Sequence, residues 1–133
     1  MPKIMIVDDD PLILRVLSRM LEVAGYEAVT HDSGFGLSGA VRQHQPDLLL
    51  LDVNMPGLSG DGALSALRAL ANRFAALTVP VVLHSGMSEQ LLRSLARTCG
   101  AKGHLCKPSG SSEVLEMIGR VLTTQSIASG TAG

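Results

Sequence analysis

The chain is predicted to fold as an α/β domain, a five-stranded, doubly wound parallel sheet with helices on both faces. Three observations carry that prediction. Short apolar runs without polar alternation, the pattern of strands buried on both sides, alternate along the sequence with stretches of 3.6-residue periodicity. The connections between them are short, and β-α units joined in that way wind right-handed into a parallel sheet. Three of the runs end in charges that a buried strand does not tolerate: residues 4–7 run into Asp8, Asp9 and Asp10, residues 48–51 into Asp52, and Leu105 and Cys106 into Lys107. Neighbouring parallel strands align those charges along one edge of the sheet, and the carboxyl edge is where open α/β sheets bind ligands.

Each element has a local reason. Residues 4–7 form a continuous apolar strand, and residues 11–24 a helix with Ile13, Leu17, Met20, Leu21 and Ala24 on one face. Asp10 before Pro11 is an N-cap followed by a first-turn proline, and Gly25 is a stop. Residues 27–30 are a short strand. Residues 33–44 have helical length, but Gly34, Gly36 and Gly39 each cost up to about 1 kcal/mol relative to alanine, so this is the weakest helix. Pro46 introduces the strand 48–51, and residues 55–60, with Pro56, Gly57 and Gly60, make a loop. Leu64, Leu67, Ala71 and Phe74 mark an amphipathic helix over 63–76. Pro80 leads the strand 81–84, Ser88 caps a helix over 88–98, residues 104–106 are the last strand and residues 112–123 the last helix. One domain over residues 1–123 is expected, with residues 124–133 a flexible tail or the stub of a linker.

Composition narrows the function. A chain of 133 residues suits a single core that buries roughly two-thirds of the unfolded surface. Apolar residues make up 46% and charged residues 17%, below the usual ~25%, so most helices must pack on something. With two Phe, one Tyr and no Trp, aliphatic side chains and Met fill that core. A net charge of −1 without a Lys/Arg run argues against direct nucleic-acid binding. No stretch reaches the ~20 apolar residues of a membrane span, and the first apolar run is too short for a signal peptide. A cytoplasmic location is expected. Cys99 and Cys106 lack partners at metal-binding spacing and read as reduced thiols.

The chemistry is concentrated at the strand ends. Asp52 after an all-leucine strand is either a turn former or a functional carboxylate. Asp8 and Asp9 at the end of another central strand favour the second reading, because three carboxylates brought together repel one another unless a cation holds them. No cationic side chain in the neighbouring loops is a better candidate than a metal, and oxygen ligands at a shallow, wet site favour Mg²⁺ or Mn²⁺. Lys107 is either a solvated loop lysine or a partner for Asp52 and then for a phosphoryl oxygen. Ser85 is either a helix-entry residue or a hydroxyl donor at the same edge. His31, His44 and His84 read as solvated, and so does His104 when taken alone.

Taken together, Val7-Asp8-Asp9-Asp10, Asp52-Val53-Asn54-Met55-Pro56-Gly57 with Gly60, Ser85-Gly86 and Gly103-His104-Leu105-Cys106-Lys107-Pro108 resemble a response-regulator receiver domain of the chemotaxis-regulator-like family of two-component signalling. The resemblance covers about residues 3–123 and implies a flavodoxin-like fold. It implies that Asp52 accepts a phosphoryl group from the phosphohistidine of a histidine kinase or phosphotransfer protein. Asp9, Asp52 and the Asn54 carbonyl then resemble the metal ligands, with Asp8 acting through water, and Lys107 resembles the lysine that binds the phosphoryl oxygens. Ser85 is similar to the switch hydroxyl. The Lys107–Pro108 bond is often cis in the family. Such a domain is a signalling module rather than an enzyme, although it promotes its own phosphorylation and dephosphorylation. Asn54 and Met87 occupy the family's variable positions two residues beyond the acceptor and the switch. His104 stands where the family usually has Tyr or Phe, the aromatic that swings inward with the switch hydroxyl; burial disfavours an imidazolium, so protonation would favour the inactive state.

Three rivals fit less well. An aspartyl-nucleophile phosphatase wants a second carboxylate at position 54, which is Asn. A flavin-binding domain wants a phosphate loop where Asp8–Asp10 repel phosphate. A degenerate receiver acting only as an interaction module would lack one of Asp9, Asp52 or Lys107. Output is expected through protein contacts, as a stand-alone receiver or as the N-terminal part of a larger regulator. Val114, Leu115, Met117, Ile118, Val121 and Leu122 form a stripe wider than one-sided packing needs, so the last two helices and the strand between them are expected to bind a downstream target or a second copy.

Overall fold

The structure, a computed structural model, describes residues 1–33, 36–53 and 79–130. The elements in chain order are β1 (Lys3–Val7), α1 (Pro11–Val23), β2 (Glu27–His31), α2 (Leu37–His44), β3 (Leu48–Leu51), β4 (Val81–Ser85), α3 (Glu89–Cys99), β5 (Gly103–Cys106) and α4 (Ser111–Gly130). All five strands are parallel, in the order β2-β1-β3-β4-β5. The strand order turns back between β1 and β3, which opens a crevice at their carboxyl ends. The helix expected over 63–76, the loop expected over 55–60 and the candidate ligand Asn54 lie outside the described residues.

Strand alternation divides the core in two. Met5, Val7, Leu49, Leu51 and Leu83 pack with Leu37 and Val41 of α2 and with Leu92, Leu95 and Ala96 of α3. On the other face Ile4, Ile6, Leu48, Leu50, Val82 and Leu105 pack with Leu17 and Leu21 of α1 and with Val114, Ile118 and Val121 of α4. Burial on both faces is why the central strands carry no polar alternation. Helix signals hold where a side chain caps: the Asp10 carboxylate accepts the Leu12 N–H, and the Ser88 hydroxyl accepts the Leu91 N–H. Gly25 ends α1 with φ of 95°, a conformation that needs no adjustment only for glycine.

Four expectations need correction. Helix α2 starts at Leu37 instead of Ser33, because Gly36 takes a left-handed conformation at its N-cap and makes no side-chain cap there. Helix α4 runs to Gly130, so residues 124–130, expected in the tail, are helical; Thr123 and Thr124 satisfy their hydroxyls on the carbonyls of Gly119 and Arg120 one turn back. The wide apolar stripe of α4 is largely consumed by its own fold. Val114, Ile118 and Val121 are buried, Leu115, Met117 and Leu122 pack against the same cluster, and a side chain at Gly103 of β5 would run into the Met117 sulfur. Lastly His84 is 6% exposed, since it follows Val82 on the β4 face that α1 and α4 cover.

Burial, reinforced by the Lys107 charge and opposed by Asp8 and Asp52, lowers the His84 pKa below the ordinary imidazole value. A depressed value in the folded state means stability that is complete above the unfolded value of about 6.5 and is lost as pH falls below it. Wild-type protein should therefore lose stability between about pH 7 and about pH 5, with an increment of at most ~1.4 kcal/mol per pH unit from this group, and His84→Leu should lack that increment. Urea unfolding at both ends of the range tests this. Equal losses in the two proteins would show that His84 is not held neutral.

Candidate functional site

The backbone brings the charged strand ends level. The Asp8 N–H donates to His31 O at 3.1 Å and the Asp52 N–H to Val7 O at 2.9 Å, so the ends of β2, β1 and β3 are tied in sequence. Across the sheet the Lys107 N–H donates to Ser85 O at 2.7 Å, which ties the segment after β5 to the end of β4. The Lys107–Pro108 peptide is cis. Asp8 and Asp52 are almost fully buried, at 1% and 4% exposure, whereas Asp9 faces solvent.

Lys107 closes the site. Its Nζ donates to Asp8 Oδ2 at 2.7 Å and to Asp52 Oδ2 at 3.1 Å. Burial alone would lower the ammonium pKa, but the bonds to the two carboxylates outweigh it and hold the value above that of an ordinary lysine. Asp8 Oδ1 accepts the Asp10 N–H at 2.9 Å, so both Asp8 oxygens are engaged. Asp9 makes no hydrogen bond among the described residues. One oxygen from each of Asp8, Asp9 and Asp52 lies within 4.8 Å of the others, a set of hard donors that fits Mg²⁺ or Mn²⁺. The expectation that a metal is the best cation for these carboxylates is thereby refined, since Lys107 reaches two of them itself.

Ser85 is fully buried at the end of β4, and its Oγ accepts the Met87 N–H at 3.3 Å, which leaves the hydroxyl hydrogen for another acceptor. The structure does not bring His104 into this cluster. The half-buried ring lies against α3, with Nε2 3.0 Å from Glu89 Oε1. Glu89 is a residue that sequence reasoning passed over, because an acid just after a Ser cap reads as an ordinary first-turn residue. Beside Lys107 a groove of about 280 Å³ is lined by Leu12, Ile13, Val16, Leu17, His84 and Pro108, among others. Leu12 and Val16 are 61% and 56% exposed.

Lys107→Ala would leave Asp8 and Asp52 buried together without a cation. Removing one partner of a buried pair is costly, and partial exposure of the lysine reduces that cost, so a loss of about 1–3 kcal/mol is expected in metal-free buffer. Mg²⁺ should then stabilise the variant more than the wild type. Thermal unfolding with and without Mg²⁺ measures both, and an equal Mg²⁺ increment would show that the lysine does not hold the carboxylates together.

Comparison with known proteins agrees with this geometry. A family model described as "Response regulator receiver domain" matches residues 4–119. The transcriptional regulatory protein KdpE of Mycobacterium tuberculosis is 35% identical over 86% of this chain, which spans 48% of that protein, so the chain covers about half the length of such relatives. Protein PilH of Pseudomonas aeruginosa is 31% identical over 92% of the chain and 98% of its own length. Among solved structures, the chemotaxis protein CheY4 of Vibrio cholerae superposes with a TM-score of 0.77 at 26% identity, covering 91% of this chain and 98% of its own. Because Asp9, Asp52 and Lys107 are all present, a degenerate receiver finds no support in the chain. The family match and the carboxylate-lysine edge of a β2-β1-β3-β4-β5 sheet lead to one assignment: the chain belongs to the response regulator receiver domain family of two-component signalling.

Proposed function

We propose that this domain accepts a phosphoryl group on Asp52 from a phosphohistidine of a histidine kinase or phosphotransfer protein and in response alters the surface that it offers to a downstream partner. The observation that carries this is the Lys107 ammonium, 3.1 Å from the Asp52 carboxylate at the open edge of the sheet. An Asp52 oxygen attacks phosphorus as the P–N bond to the donor imidazole breaks, and the imidazole leaves neutral after taking up a proton. The attack sets an anion against an anion, so positioning and cancellation of charge are what a protein contributes. Lys107 turns from the carboxylate to the incoming phosphoryl oxygens. Ser85 donates its hydroxyl hydrogen to one of them. Asp9, Asp52 and the Asn54 carbonyl would hold Mg²⁺ or Mn²⁺, with Asp8 acting through water, and the bound cation would supply further positive charge. The resulting acyl phosphate is labile, so the domain both forms and loses its signal without being an enzyme in the metabolic sense.

The donor's route is supported by the apolar groove. A protein that presents a phosphohistidine to Asp52 must cover the surface beside Lys107, and there Leu12 and Val16 are exposed and Pro108 forms the rim. In this reading output goes through the face formed by α3, β5 and α4, toward a protein target or a second copy, by contacts other than the apolar stripe of α4, which the fold uses internally. A cytoplasmic setting is part of this reading; among the described residues no helix is long and apolar enough to cross a membrane.

Beryllofluoride, a phosphoryl mimic, is expected to bind with Mg²⁺ and to shift the amide signals of Asp8, Asp52, Ser85 and Lys107 in wild type but not in Asp52→Asn. Equal binding by the two proteins would refute the assignment. Leu12→Asp is expected to slow transfer from a phosphohistidine protein by about tenfold, the effect of ~1.4 kcal/mol at an interface, while phosphorylation by acetyl phosphate stays unchanged. An equal loss with both donors would place Leu12 in the site's own stability instead of in docking.

A further inference from the structure

The output face carries a polar cluster that phosphoryl transfer does not use. His104 and Cys106 are two residues apart on β5, so their side chains leave the strand on one face. Glu89 in the first turn of α3 reaches both of them, with Oε1 3.0 Å from His104 Nε2 and Oε2 accepting from Cys106 Sγ at 3.4 Å. Arg93, one turn along α3, donates to the same Oε1 at 2.7 Å. Bonds from His104, Arg93 and Cys106 hold the Glu89 carboxyl down to about 2, so it remains anionic at any pH at which the domain works. Burial, together with the Glu89 contact, raises the Cys106 thiol and keeps it a neutral donor.

Resting on the proposed phosphoacceptor role, we propose that Glu89 and His104 form a proton-gated latch that holds the β5 ring against α3 and opposes activation when His104 is protonated. A neutral imidazole makes an ordinary hydrogen bond to the carboxylate, whereas an imidazolium makes a charge-assisted one that is about twice as strong. Movement of the ring away from α3, toward the buried Ser85, then requires either breaking the stronger bond or releasing the proton. Low pH favours the latched state. The switch end is close to hand, since Ser85 of β4 is in register with Cys106 and His104 with Leu83.

The other charges near the ring do not replace Glu89. On α3, Arg93 shares the Glu89 oxygen and opposes a second cation there, and Arg97 lies one turn further along the same stripe. On α4, Glu116 is paired with Arg120, and Glu113 accepts from the Gly110 N–H. Next to β5 in sequence, Lys102 is exposed. In β4, His84 is on the opposite face of the sheet, among α1 and Pro108.

The test is the affinity for beryllofluoride with saturating Mg²⁺ between about pH 8 and about pH 5.5 in wild type, His104→Phe, Glu89→Gln and the double variant. All four share the carboxylates of the metal site, so differences among their profiles isolate the latch. Wild type should lose affinity relative to His104→Phe as pH falls across this range, by at most about tenfold per pH unit for a single proton. Glu89→Gln should flatten the profile as His104→Phe does, and the double variant should add nothing further. Parallel profiles in wild type and both single variants would overturn the latch while leaving phosphoacceptance intact. Beryllofluoride binding that is absent, or equal in Asp52→Asn, would overturn the phosphoacceptor reading and the latch with it.

Discussion

The structure depends on one ammonium group. Asp8 and Asp52 leave neighbouring strands almost completely shielded from water, and two carboxylates so placed are unfavourable without a cation. Lys107 supplies it from the far side of β4, with contacts of 2.7 and 3.1 Å. Such a buried pair is poor evidence of selection for stability, since well-packed apolar residues serve that purpose as well or better. Its presence at the switch point of a parallel sheet is what a site retained for chemistry looks like. Two apolar layers provide the stability that the charged edge does not.

Those layers differ where they meet the charged edge. The α1 and α4 side approaches Lys107 through an apolar groove with Leu12 and Val16 exposed on it. On the other side α3 meets the edge strand β5 through Glu89, His104 and Cys106, a second polar cluster separate from the first. The two clusters are joined by the β4–β5 ladder. Ser85 is opposite Cys106, and its carbonyl accepts the Lys107 N–H, next to the strand that carries His104.

Several outcomes show where local reasoning stops. Gly36 was legible as a weak point in a helix, but only the backbone conformation turned it into the start of α2. The small polar residues after Thr123 suited a tail, yet α4 continues through them, with the Thr123 and Thr124 hydroxyls turned back onto the carbonyls of the preceding turn. The broad apolar stripe of α4 pointed to a partner, and the fold used most of it internally through Met117 and Gly103. His84 has the composition of a surface residue. Its place after Val82, on a face that two helices cover, buries it.

The sequence by itself determined the class of fold and the identity of the charged groups at the sheet edge. Uninterrupted apolar runs that end in Asp8, Asp52 and Lys107 admit few arrangements other than parallel strands with their charged ends on one edge, because a buried strand cannot carry those charges internally. Tertiary structure alone decided which of the groups meet. Lys107 reaches Asp8 more closely than Asp52, Asp9 is left to solvent, and His104 is held by Glu89, 15 residues away in the chain, instead of lying beside the carboxylates. The physical reason is that local periodicity fixes the face on which a side chain leaves its strand or helix, whereas pairing between elements depends on strand order and register, which no short stretch of sequence encodes.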